Sequence, residues 1–85
     1  MQAQHSVTAA DSKLIARATR LRARVWALHY AQGSAYARNL AALWKAHGLA
    51  GVGLACRELA RTLADVPGAH ECFSEARAIA HLAPQ

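Results

Sequence analysis

Alanine is the residue that most constrains the fold of this 85-residue chain, because it supplies 22 of the 46 hydrophobic residues. Only 17 residues are Leu, Ile, Val or Phe, which is 20% of the chain and the lower limit for a stable core. Alanine favours helix but buries little apolar surface. We therefore expect thin helices packed closely around few large side chains, and a small core that a partner completes.

The composition excludes several classes of protein. No apolar run is long enough to span a bilayer, and residues 1–8 lack the apolar segment of a secretion signal. The five glycines have no collagen period, and two cysteines are too few for a disulfide scaffold. We expect one cytoplasmic domain over residues 11–85, with no membrane contact, after a disordered segment over residues 1–10.

Apolar residues recur at helical spacing in four segments, and no segment alternates with the period of a strand. The clearest apolar stripe is Leu14, Ala18, Leu21, Val25 and Leu28. The predicted elements are a first helix capped by Asp11 or Ser12, a break at Gly33-Ser34, a second helix over 35–47, a third from Leu49 and a fourth over 68–82. Short connections favour antiparallel neighbours, so we predict an all-α fold, either an up-and-down bundle of four short helices or stacked helical hairpins.

Basic residues are concentrated in the front half of the chain. Residues 1–47 carry seven basic side chains and one acidic one, whereas residues 48–85 carry three and four. On a helix, a basic stripe made of Lys13, Arg17, Arg20 and Arg24 falls within about 60°. The simplest interpretation is a solvated edge that covers alanine-lined core. The functional interpretations are binding to another protein with an acidic surface and, as a second alternative, binding to nucleic acid through its phosphates.

Trp26 and Trp44 are the candidate contact residues, because Trp and Arg most often carry the binding energy of an interface. With Arg17, Arg20 and Arg24 they form the predicted binding site, although a core role for at least one tryptophan is equally compatible with the pattern. The predicted function is a small, non-enzymatic protein–protein interaction or regulatory module. Self-association into a homodimer and a chaperone-like role are variants of this prediction.

The segment His29-Tyr30-Ala31-Gln32-Gly33-Ser34-Ala35 resembles the His-x-x-x-Gly-Ser-Ala sequence of histidine-phosphotransfer domains, which are four-helix bundles. The resemblance covers about seven residues, and the family usually has a lysine at the position of Gln32. It implies that His29 attacks an aspartyl phosphate, with Gly33 leaving the ring open to a docking response regulator. Phosphotransfer through His29 is therefore the alternative function. A partly buried, hydrogen-bonded histidine is the other interpretation of the same pattern.

Metal and acid–base chemistry have weak support in the sequence. The residues that could bind a metal are Cys56, His70, Cys72 and His81. They lack the paired Cys-x-x-Cys or His-x-x-x-His spacing of zinc sites, so we expect no metal and no cofactor. Both cysteines lie on apolar stripes and are predicted to be small buried hydrophobes. Glu71 and Glu75 form one carboxylate pair, which we interpret as an exposed helix face, and no catalytic residue is expected.

Overall fold

The computed structural model describes residues 8–84, which form four α-helices. They are α1 (Ala9–Leu28), α2 (Tyr30–His47), α3 (Leu49–Leu63) and α4 (His70–Leu82). No strand occurs within residues 8–84. The predicted all-α helical bundle is confirmed.

Helix α1 begins earlier than the sequence pattern indicated. Thr8 is its N-cap: the Thr8 Oγ1 accepts a hydrogen bond from the Asp11 backbone N at 3.0 Å, and the Thr8 backbone N donates to Asp11 Oδ2 at 3.2 Å. This reciprocal capping box uses Asp11 as a residue of the first turn, so the prediction of Asp11 or Ser12 as the cap was wrong. Residues 9 and 10 are helical, and residues 1–7 of the predicted disordered segment lie outside the described residues.

The break between α1 and α2 lies at His29 and not at Gly33-Ser34, which corrects the predicted boundary. His29 has extended backbone angles, with φ −146° and ψ 100°, and its N–H donates to the Val25 carbonyl. Gly33 lies inside α2, where a Cβ would come within 2.5 Å of the Trp26 Cα. The glycine is therefore a close-approach residue that lets α1 and α2 meet, and it does not end a helix.

The other two connections lie near their predicted positions. Gly48 ends α2 and separates it from α3. At the start of α3, a Cβ on Gly51 would overlap the Leu43 carbonyl, so these two helices also approach backbone to backbone. Helix α4 begins at His70 rather than at residue 68, because Gly68 has a φ of 79°, outside the helical region.

The helices are arranged in a closed ring in which α1 contacts α2 and α4, and α3 contacts α2 and α4. Successive helices are antiparallel because their connections are short. The α4–α1 pair is antiparallel too, since Arg17 bonds to Glu75 whereas the later Arg24 bonds to the earlier Glu71. The topology is therefore up-and-down, the first of the two predicted arrangements.

The core is a single cluster built on small residues. It contains Leu14, Ala18, Leu21, Val25, Tyr36, Val52, Ala55, Cys56, Leu59, Ala60, Leu63, Ala69, Cys72, Ala76, Ile79, Ala80 and Ala83. Four of the five residues in the predicted α1 stripe belong to it, but Leu28 at the end of the helix is half exposed. Seven of the 17 core residues are alanine, so the helices of the bundle pack at close range, as the composition predicted.

Tyr36 joins α2 to α1 and α3 from inside this core. Its hydroxyl donates to the Ala18 carbonyl at 3.1 Å and lies 3.3 Å from the Cys56 Sγ. The side chain is 2% exposed, and burial together with the neighbouring thiol raises the pKa of the phenol. The phenol therefore stays neutral and holds three helices in register.

Substitution of Gly33 by alanine distinguishes close approach from helix propensity. Propensity alone would make Gly33→Ala stabilising by about 1 kcal/mol. Because the new Cβ meets the Trp26 backbone, which cannot move without separating α1 from α2, we expect destabilisation by about 1–3 kcal/mol instead. Urea denaturation followed by circular dichroism measures this difference.

The exposed Ala42 in the same helix offers the matched control. Ala42→Gly should be destabilising by about 1 kcal/mol, which is the propensity effect alone. A Gly33→Ala protein more stable than the parent would show that α1 and α2 do not depend on this contact.

Candidate functional site

The basic stripe is partly neutralised within the chain. Arg17 donates from Nε to Glu75 Oε2 at 2.9 Å and from a terminal nitrogen to Glu75 Oε1 at 2.8 Å, a two-bond ion pair between α1 and α4. Arg24 donates to Glu71 Oε1 at 3.0 Å. Glu71 and Glu75 thus both contact α1. Glu71 is exposed, as predicted, whereas Glu75 is only 25% exposed, so the interpretation as an exposed helix face is corrected for Glu75 alone.

The Arg17–Glu75 pair changes the electrostatics of both side chains. The two bonds from Arg17 hold the pKa of the Glu75 carboxyl below its ordinary value, with smaller contributions from Arg24 and Arg20. The same bond raises the pKa of Arg17. Both side chains are about one-quarter to one-third exposed, so the pair is worth more than a fully solvated one.

Two members of the basic stripe keep solvated charges. Lys13 and Arg20 are exposed, and within residues 8–84 neither makes an ion pair. Two cations on one helix are a small electrostatic footprint for nucleic acid, since affinity for phosphates grows with the number of contacts. The stripe therefore contributes mainly to the joint between α1 and α4.

Both tryptophans lie on the outer face of the α1–α2 hairpin, and each is 42% exposed. Trp44 lines a groove between the two helices, with a volume of about 180 Å³. This α1–α2 groove is lined by Ile15, Ala18, Thr19, Arg22, Ala37, Leu40, Ala41, Trp44 and Val52. Trp26 lies one helical turn beyond Arg22 on the same face of α1 and meets the Tyr30 ring edge-on at a centroid distance of 4.7 Å.

Arg22 is the residue of this surface that the sequence reasoning missed. It is one of the seven basic residues in the front half of the chain but lies off the basic stripe, and the structure places it in the α1–α2 groove. The available signal is the spacing Ile15, Thr19, Arg22 and Trp26, a second helical stripe beside the core stripe of α1. It could be recognised only once α2 was known to pack against it.

His29 occupies the single residue between α1 and α2 and is partly buried. It is not part of a continuous helix with Gly33, although the Gly33 N–H donates to its carbonyl. Gly33 faces the Trp26 backbone. The glycine therefore serves helix packing, and the geometric argument for an open His29 ring does not apply here.

Cys56 and Cys72 are both free, and their predicted burial is confirmed. Burial raises the pKa of each thiol, which keeps both in the neutral, unreactive form. Among residues 8–84, no three His, Cys, Asp or Glu side chains come together as metal ligands would. Each cysteine fills the core as a small hydrophobe.

Comparison of the chain with protein-family models, with curated protein sequences and with solved structures finds no match. In the described part of the chain, every helix is too short or too polar to cross a bilayer. The α1–α2 groove, which is lined by the half-exposed Trp44, is the surface that best fits a binding function.

The Arg17–Glu75 pair predicts a pH-dependent loss of stability. Glu75→Gln should lower the free energy of unfolding by about 1 kcal/mol at pH 7. The pKa of Glu75 is lowered from its ordinary value of 4.5 in the folded state. The difference in unfolding free energy between the parent and the variant is therefore complete at a pH well above 4.5. It disappears as the pH falls through the lowered pKa of the folded state, where Glu75 becomes protonated. Urea denaturation at pH 7 and in a series down to pH 3 measures it.

Glu71→Gln is the matched control, because the Arg24–Glu71 pair is much more exposed. Its effect should stay below about 0.5 kcal/mol at every pH. Equal effects of the two substitutions at pH 7 would contradict the distinction between the pairs.

Proposed function

We propose that this chain is a non-enzymatic protein–protein interaction module that binds an amphipathic helix of another protein in the α1–α2 groove. The observation that carries the proposal is that the half-exposed Trp44 lines the groove, while the equally exposed Trp26 lies on the same stripe of α1 as the groove residue Arg22. Large aromatic side chains in a chain so short of large apolar residues are expected in the core unless another surface uses them.

The shape of the groove supports a helical partner. Ile15 and Trp44 line the groove, whereas Trp26 lies outside its lining, further along the same stripe of α1. Ile15 and Trp26 are eleven residues apart on α1, a distance of about 16 Å, which is three turns of helix. Between them Leu40 and the small Ala37 and Ala41 form a shallow apolar floor. A groove of this kind suits apolar anchors spaced by three and four residues.

The position of Arg22 favours a different protein, and not a second copy of this chain, as the binding partner. Arg22 lines the groove together with Trp44, and a symmetric dimer through this face would bring two Arg22 side chains together. A partner helix with a carboxylate among its apolar residues would pair with Arg22 instead. The proposal therefore keeps the acidic partner that was expected from the basic stripe. The residue that pairs with this partner is Arg22, and not Arg17 or Arg24.

Binding through the groove is favoured over phosphotransfer and over nucleic-acid recognition. Phosphotransfer needs an open His29 ring, and His29 lies partly buried at the helix break. Nucleic-acid recognition by the basic stripe would have to compete with Glu71 and Glu75 for Arg24 and Arg17. A cytoplasmic location is part of the proposal, because two free buried thiols suit a reducing compartment.

A photo-crosslinking amino acid at the exposed Ala41 position tests the proposal in cells that produce the protein. We expect a covalent adduct with one other protein, and a marked loss of that adduct when Trp44→Ala is added. The same crosslinker at Leu54, which is 39% exposed on α3, is the control and should give no adduct. An adduct with twice the mass of the chain would show self-association. If Trp44→Ala left the amount of adduct unchanged, binding in the groove would be refuted.

Calorimetry with the partner isolated in this way measures how much each substitution weakens binding. Trp44→Ala should weaken binding at least tenfold, which is about 1.4 kcal/mol, because a buried tryptophan is a typical hot spot. Leu54→Ala, a substitution of comparable exposure outside the groove, should change affinity less than twofold. Circular dichroism of both variants separates loss of binding from loss of fold.

A further inference from the structure

A cluster of three arginines and a histidine lies on the other side of the bundle, between α3 and α4. Arg57 and Arg61 come from α3 and are one turn apart, and Arg77 and His81 come from α4 with the same spacing. All four line one open cleft with a volume of about 680 Å³, within the range of ligand sites. This α3–α4 cleft faces away from the α1–α2 groove, because the two helix pairs occupy opposite sides of the ring.

The distribution of charge on α4 explains why the cleft is cationic. Glu71 and Glu75 point towards α1, where they bond to Arg24 and Arg17. Arg77 and His81 lie roughly 110° further round the helix and face α3. Among the described residues that line the cleft, none carries a carboxylate. The back half of the chain is nearly neutral by composition, so only the fold separates its charges into an acidic and a basic face.

The arginines of the cleft are arranged to contact an anion. The Arg77 guanidinium lies over the Phe73 ring, 5.6 Å from its centroid, which limits its rotation. Arg61 makes an ion pair with Glu58 on its own helix, and both side chains are exposed, so an incoming anion can compete for the guanidinium. A planar guanidinium offers paired donors that match phosphate oxygens.

We infer that the α3–α4 cleft binds a ligand that carries a chain of phosphate groups. Helix α3 contributes two arginines spaced one turn, about 5 Å, apart, and α4 contributes an arginine and a histidine with the same spacing, so the ligand must present several anionic groups in succession rather than a single carboxylate. Ser74 adds a hydroxyl donor at the same surface, and Phe73 gives the cleft an apolar side. This site is independent of the groove and of the function proposed for it.

Isothermal titration calorimetry of the full chain with sodium tripolyphosphate, at low ionic strength, tests the inference. We expect one binding site per chain, with affinity that falls steeply as salt is added. The double variant Arg61→Gln with Arg77→Gln should bind at least tenfold more weakly, because it removes two charge-assisted donors. The control is Arg38→Gln with Lys45→Gln, which removes the same charge from exposed positions on α2 and should change affinity less than twofold.

A parallel titration with ATP distinguishes two sources of the phosphate chain. Equal affinity for ATP and tripolyphosphate would support recognition of the phosphates alone, and tighter ATP binding would support a nucleotide whose base uses the apolar side of the cleft. No binding of tripolyphosphate, equal losses in the two double variants, or binding of single-stranded RNA without binding of tripolyphosphate would each overturn the inference. All four substituted side chains are exposed, and circular dichroism verifies that the variants keep their helices.

Discussion

Close approach of helix backbones is the constraint on which the rest of this structure depends. Gly33 meets the Trp26 backbone, and Gly51 meets the Leu43 carbonyl, at positions where no side chain would fit. Alanine plays the same part elsewhere in the core. Because the helices are thin where they touch, a few residues the size of Leu21 and Ile79 are enough to fill the space between them.

This packing also determines the surface. Thin helices bury a narrow stripe each, so larger apolar residues outside the stripe, such as Trp26 and Trp44, remain half exposed. The joint between α1 and α4 is made partly by ion pairs, and it uses the acidic face of α4. One side of the bundle is consequently an apolar groove, and the opposite side is a cleft lined by arginines.

Much of the fold was predictable because local sequence patterns determine the positions of the helices. The 3.6-residue spacing of the α1 stripe and the break at Gly48 follow from side-chain periodicity and helix termination, which act over a few residues. The boundary at His29 was not predictable, because a glycine that ends a helix and one that admits a neighbouring backbone, as Gly33 does, look alike in a sequence. The site was predictable in part, because the sequence pattern already pointed to both tryptophans. The role of Arg22 in the groove, and the engagement of Arg17 by Glu75 instead of by a partner protein, depend on which helices lie beside α1.

Composition and periodicity alone specify that this chain forms four alanine-rich helices, since propensity and apolar spacing are properties of each segment. Packing in three dimensions decides where the helices break, which charges neutralise one another and which aromatic rings stay outside. Those outcomes depend on distances between residues far apart in the chain, such as Arg17 and Glu75. The same acidic and basic residues could form a continuous charged surface or a set of internal pairs, and only the neighbouring helix determines which of the two arises.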